Sequence, residues 1–165
     1  MGYESKITYR TVLTVSIIYF MPHSFNKIWI HAIWATKERM PLINEKSERV
    51  IHDYMRKQFI DMGCPVRIIN GMPDHVHCLF LLSPQKSIAE TIKQIKGSTS
   101  HYINEQELIH EKFAWQTGYA AYSVSESQLE KVFRYIKNQK EHHAKKSFQH
   151  EYDEFLKLYG LEQNG

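Results

Sequence analysis

Residues 65–82 read PVRIINGMPDHVHCLFLL. Two apolar runs rich in β-formers, PVRII (65–69) and HVHCLFLL (75–82), flank N-G-M-P-D, five residues of turn chemistry, and this pattern predicts a β-hairpin. The second run opens with His75 and His77 on either side of Val76. In a strand, alternate residues share a face at a spacing of about 6 to 7 Å. The two imidazoles therefore aim together, and Val76 faces the opposite layer.

The flanking segments set this hairpin in an alternating chain. KIWIHAIWAT (27–36) is dense in Ile and Trp and predicts a strand. NEKSERVIHDYMRKQFIDMG (44–63) carries Val50, Ile51, Tyr54, Met55, Phe59 and Met62 near helical spacing, with Gly63 as a stop. SIAETIKQIKGSTSHYI (87–103) predicts a second helix, with Ile88, Ile92 and Ile95 on one face and Gly97 weakening it. GYAAYSV (118–124) suggests a further short strand. From Ser125 a third helix is expected, because Ser125 and Gln128 match the S-x-x-Q capping box. The order β-α-β-β-α-β-α predicts an α+β, ferredoxin-like (RRM-like) sandwich. It would have a four- to five-stranded antiparallel sheet, helices on one face and an added C-terminal helix.

At 165 residues the chain suits one domain able to bury its own core. Its two cysteines, Cys64 and Cys78, fit neither a disulfide framework nor a C-x-x-C zinc site, so a reducing, cytoplasmic compartment is expected. The formal charge of +3 is too small by itself to imply nucleic acid, but the basic residues are unevenly placed. Lys131, Arg134, Lys137, Lys140, Lys145 and Lys146 crowd the third helix and its sequel, and the tail from Ser147 turns acidic. In residues 1–20 the apolar run VLTVSIIYF is too short to span a membrane and is followed by Met-Pro-His rather than a cleavage pattern. Residues 1–20 are read as a dispensable extension outside the core, and 21–165 as a single domain with no membrane association.

A His-x-His pair on a strand can grip one metal ion, or it can simply be two polar residues at a strand opening. Length excludes a (β/α)₈ hydrolase, and the helix content is wrong for a jelly roll. A third ligand has to come from elsewhere, and SQLEKVFRYIKNQKEHH (127–143) is the place to look. Leu129, Val132, Phe133 and Ile136 make its core stripe. Tyr135 and Gln139 lie one turn apart on a line roughly 90° from the centre of that stripe, and His142 continues it. A hydroxyl, an amide oxygen and an imidazole are thus held at the edge of the buried face.

These motifs resemble a known family. Met72-Pro73-Asp74-His75-Val76-His77 resembles the His-hydrophobe-His motif of the single-tyrosine HUH transposases of small bacterial insertion sequences, a group that includes the REP-associated tyrosine transposases. Lys27 to His31, Ile95-Lys96-Gly97-Ser98 and Tyr135-Ile136-Lys137-Asn138-Gln139 with His142-His143 also look like that family's pattern, over about residues 21–160. The resemblance implies that His75 and His77 bind a divalent metal, that Tyr135 is the nucleophile, and that Gln139 is the third ligand, with His143 as its competitor. The metal would be Mg²⁺ or Mn²⁺, polarising the scissile phosphate through its open positions. Attack by Tyr135 would leave a covalent 5′-phosphotyrosine and a free 3′-OH, so that a strand can be rejoined without loss of bond energy.

The resemblance also implies single-stranded DNA with hairpins at the element ends as substrate. It further implies a homodimer in which the tyrosine helix of each subunit reaches the histidine pair of the other. Lys93, Lys96, Lys131, Arg134, Lys137, Lys140 and His142 are the candidate DNA contacts, against the plainer reading of solvated helix faces. Two rivals stay open at this level: a non-catalytic single-stranded nucleic-acid-binding module on the same sandwich, and a metal-dependent nuclease that uses water.

Overall fold

The computed structural model describes residues 26–143 and residue 159. The segment 1–20 therefore lies outside the described residues. Four strands, β1 (Trp29–Ala35), β2 (Val66–Met72), β3 (His75–Leu81) and β4 (Ala120–Val124), form one antiparallel sheet in the order β2-β3-β1-β4. The expected α+β sandwich is what the chain adopts, with four strands. Six of the seven residues of β3 are buried, which requires both faces of the sheet to be covered.

The two faces hold different elements. Val76, Cys78 and Phe80 of β3 stand in register with Trp34, Ala32 and Ile30 of β1. They pack under helices α1 (Glu45–Asp61) and α2 (Ile88–Glu105), through Ile51, Met55, Phe59, Ile92, Ile95 and Ile103. On the opposite face Leu79 meets Val124 and the stripe Leu129, Val132 and Ile136 of helix α3 (Leu129–Lys137). Burying large aliphatic and aromatic side chains is worth roughly 1.5–3 kcal/mol each, so this second, smaller core is what holds α3 on the sheet.

Local chemistry sets the helix ends. The Asn44 side chain accepts from the amides of Lys46 and Ser47, both at 3.0 Å, and starts α1. Gly63, at φ +71°, follows the end of α1 in the left-handed region that favours glycine. A reciprocal capping box forms in α2, between Ser87 and Glu90. The box expected at Ser125 does not form. Ser125 makes no side-chain cap, a 3₁₀ turn covers Glu126–Gln128, and the helix proper starts at Leu129. The Ser125 hydroxyl lies instead 3.1 Å from that of Ser127.

The central hairpin is tighter than its sequence suggests. Asn70, Gly71 and Met72 belong to β2, Met72 pairs with His75, and only Pro73 and Asp74 make the turn. Gly71 is there for close approach rather than for a turn. A Cβ on it would stand 2.2 Å from the His75 carbonyl oxygen and 2.9 Å from the Val76 Cα, both backbone atoms with nowhere to go. Gly71→Ala is therefore expected to destabilise the protein by about 3 kcal/mol, a fall in Tm on the order of 10 °C, read by thermal denaturation. An unchanged Tm would mean that the hairpin has slack in which His75 can move.

Residues 36–43 wrap the hairpin tip. The Thr36 amide donates to the Asp74 carbonyl at 2.8 Å, and the Ile43 amide donates to the Pro73 carbonyl at 2.9 Å. Cys64 and Cys78 are both buried free thiols. Among the described residues no helix is long and apolar enough to cross a membrane.

Candidate active site

The face of β3 that carries Leu79 also carries His75 and His77, because strand residues alternate. The same rule applied to β1, with Ala35 opposite His75, Ile33 opposite His77 and His31 opposite Leu79, brings His31 to that face. The three imidazoles are 8 %, 4 % and 0 % exposed for His75, His77 and His31. The His75 and His77 rings meet edge to face with centroids 5.2 Å apart, and those of His31 and His77 stack at 5.1 Å.

Each histidine is fixed through a named nitrogen. His75 Nδ1 lies 2.7 Å from Asp74 Oδ1, and the other Asp74 oxygen accepts two bonds from Arg39, at 3.0 Å from Nε and 2.8 Å from a terminal nitrogen. Burial alone would raise the Asp74 pKa. The hydrogen bond from His75 and the charges of His75 and Arg39 outweigh it and hold the carboxyl down at about 2. His77 Nδ1 lies 2.9 Å from His31 Nε2, and His31 Nδ1 contacts the hydroxyl of Tyr159. Burial pushes the His31 pKa down to about 3, so its ring is neutral and carries one proton.

Over this face stands α3. Its half-buried Tyr135 presents its ring edge-on to His77, with centroids 5.9 Å apart, and to His31 at 6.3 Å. The tyrosine therefore meets the histidines of its own chain. Tyr135 and Gln139 do not share one unbroken helix as expected. The ladder breaks at Asn138 (φ −93°, ψ 12°), and a short helix α4 (Gln139–His143) follows. Gln139, its first residue, is 3 % exposed. The side chains of His142 and His143 lie outside the described ones.

The remaining basic candidates do not share one surface. Lys131, Arg134 and Lys137 are exposed on α3, with Arg134 Nε 3.8 Å from Glu130. Lys93 and Lys96 lie on α2, across the sheet. Lys96 Nζ donates to the carbonyls of Gln116, Thr117 and Gly118 at 2.6, 3.0 and 3.0 Å, a capping role for the loop ahead of β4. Lys140 is ion-paired with Glu48 of α1.

Sequence reasoning gave no site role to His31, Asp74, Tyr122 or Tyr159. The signal for His31 was its register with Leu79, which becomes visible only once β1 and β3 are paired. Tyr159 stacks on Tyr122 at 4.3 Å, and its burial pushes the phenol pKa up. Its contact with His31 spans 128 residues of sequence, and no local pattern announces it.

The four-stranded α+β sandwich of this chain is similar to the crystal structure of a candidate transposase from Deinococcus radiodurans R1, with a TM-score of 0.59 and 26% identity over 72% of this chain and 95% of that one. A REP-associated tyrosine transposase bound to a REP hairpin aligns with a TM-score of 0.49 and 12% identity over 72% of this chain and 70% of that one. The ISDra2 transposase TnpA of Deinococcus radiodurans is 28% identical over 114 residues, 66% of this chain and 81% of that protein. The model of the IS200-like transposases matches residues 24–139, and the chain belongs to that family of DNA-transposing enzymes.

Proposed function

We propose that this transposase cuts and rejoins single-stranded DNA through a 5′-phosphotyrosine on Tyr135, assisted by Mg²⁺ or Mn²⁺. The observation that carries the reading is the edge-on approach of Tyr135 to His77, two residues 58 positions apart that the fold brings to one buried cluster.

The donor chemistry fits a divalent ion. Among the described residues no three His, Cys, Asp or Glu side chains form a metal-binding group, and the side chain of His143 lies outside them. Within the described residues Gln139, with an amide oxygen and almost complete burial, is the donor that would complete a three-ligand site on His75 and His77. His75 gives Nδ1 to Asp74 and His77 gives Nδ1 to His31, an arrangement in keeping with Nε2 of each ring as the nitrogen that would hold the ion. Neutral His31 then accepts from His77 through Nε2 and keeps its own proton on Nδ1, beside the Tyr159 hydroxyl. When bound, the ion supplies Lewis-acid polarisation of the scissile phosphate.

The chain's own residues do the rest. Tyr135 gives up its hydroxyl proton to solvent and attacks phosphorus through the same oxygen, the P–O3′ bond breaks, and the leaving 3′ oxygen takes up a proton from solvent, so that the number of protons is conserved. The reverse attack by a 3′-OH rejoins the strand and frees the tyrosine. Lys131, Arg134 and Lys137 are exposed along α3, and in this reading they neutralise phosphates of the strand. Hairpin-bearing element ends are the substrate this reading calls for. Two breaks and two rejoinings with one nucleophile per chain call for two copies, most simply a C2 homodimer.

The test is to incubate the protein with a single-stranded element end and Mn²⁺, denature it, digest it and identify the DNA-linked peptide by mass spectrometry. Linkage at Tyr135 is expected. Linkage at Tyr159 or Tyr122, the other tyrosines of the cluster, would move the nucleophile, and cleavage without linkage would mean that water attacks.

A further inference from the structure

Helix α3 has only nine residues and no side-chain cap at its start, and helices this short are marginal on their own. Its apolar stripe fixes which face meets the sheet. It does not set the position along the axis to a fraction of an ångström, since aliphatic contacts tolerate sliding. The last carbonyls of any helix also lack intrahelical partners. At this helix those carbonyls fall between Tyr135 and Gln139, where the ladder breaks at Asn138.

One side chain closes this gap. Asn70 Nδ2 donates to the Ile136 carbonyl at 2.7 Å and to the Lys137 carbonyl at 3.1 Å. Both partners are acceptors only, so the amide must turn its NH₂ group towards them. Asn70 is the Cα partner of His77 in the β2–β3 ladder, and cross-strand partners share a face. A single residue beside His77 thus grips the backbone next to Tyr135. Arg67, three residues earlier on β2, adds an ion pair to Glu130 at 2.7 Å and lies over the Phe133 ring at 5.2 Å, but it holds the exposed, leading part of the helix.

We propose that Asn70 is a positioning residue of the transposase, fixing the axial register of the tyrosine helix against the histidine pair through the carbonyls of Ile136 and Lys137. The proposal rests on Tyr135 being the nucleophile. It predicts a defect in the chemical step and not in DNA capture, because Asn70 spends its amide protons on the helix backbone.

The experiment compares wild type, Asn70→Ala and Asn70→Asp. The Asp variant keeps the shape of the side chain but has no proton to donate. Single-turnover formation of the covalent adduct on a single-stranded element end with Mn²⁺ is measured beside DNA affinity, Tm and amide hydrogen exchange over 136–139. Both variants are expected to slow adduct formation by about tenfold to a hundredfold, with DNA affinity within about twofold of wild type and faster exchange at 136–139. Should Asn70→Ala fold poorly, Asn70→Asp alone decides. Adduct formation at the wild-type rate in a folded variant overturns the proposal, as does a loss of rate matched by an equal loss of DNA affinity. Absence of any adduct in wild type would instead refute the phosphotyrosine reading.

Discussion

Tyr135→Phe is expected to abolish the covalent adduct and to lower strand cleavage by at least about a thousandfold, while DNA binding and fold persist. The substitution removes one oxygen from a half-buried ring whose packing on the Leu79–Val124–Ile136 cluster is retained. Its cost to stability should stay within about 1.5 kcal/mol. Tm and gel-shift affinity serve as controls, and Tyr159→Phe should retain the adduct. A Tyr135→Phe protein that still forms the adduct would sink the assignment. Since Tyr135 meets His77 of its own chain, mixing Tyr135→Phe with His77→Ala protein is expected to restore no cleavage, even after subunit exchange. Recovered cleavage would show that the tyrosine helix crosses to its partner on DNA, the shared arrangement that the family resemblance suggested.

His75→Ala and His77→Ala are each expected to reduce cleavage by at least about a hundredfold and to weaken Mn²⁺ binding in an EPR titration, with Gln139→Ala less severe. The two histidine variants should differ in stability. Removing His77 takes from the fully buried His31 the partner on its Nε2, at about 1–3 kcal/mol. His75 stands at the hairpin opening, and its loss leaves Asp74 still held by Arg39. A lower Tm for His77→Ala than for His75→Ala, with similar loss of activity, would separate structural from chemical roles. Full cleavage in EDTA would refute the metal reading.

The element order, the sandwich class, the shared aim of His75 and His77, and the stripe that turns α3 onto the sheet are all legible in the amino-acid pattern. These follow from periods of 2 and 3.6 residues and need no knowledge of the partner element. Its local signals misled where two explanations share one residue type. Asn70-Gly71 looks like a turn, yet Gly71 is a strand residue whose place against the His75 backbone excludes any larger side chain. Ser125 looks like a cap, yet the backbone winds a 3₁₀ turn and leaves it unused.

Which residues surround the histidines emerges only when the chain is folded. His31 joins them through strand register, Tyr159 through a contact 128 residues away, and Asn70 through standing opposite His77 while reaching the end of α3. Folding also decides that Lys96 caps a loop and that Lys140 pairs with Glu48, roles that sequence alone cannot distinguish from phosphate contacts. The physical reason is the same in each case. Periodicity states which way a side chain points, whereas what it meets depends on which strands pair and how a helix lies across them, and those choices are made by contacts between residues distant in the chain.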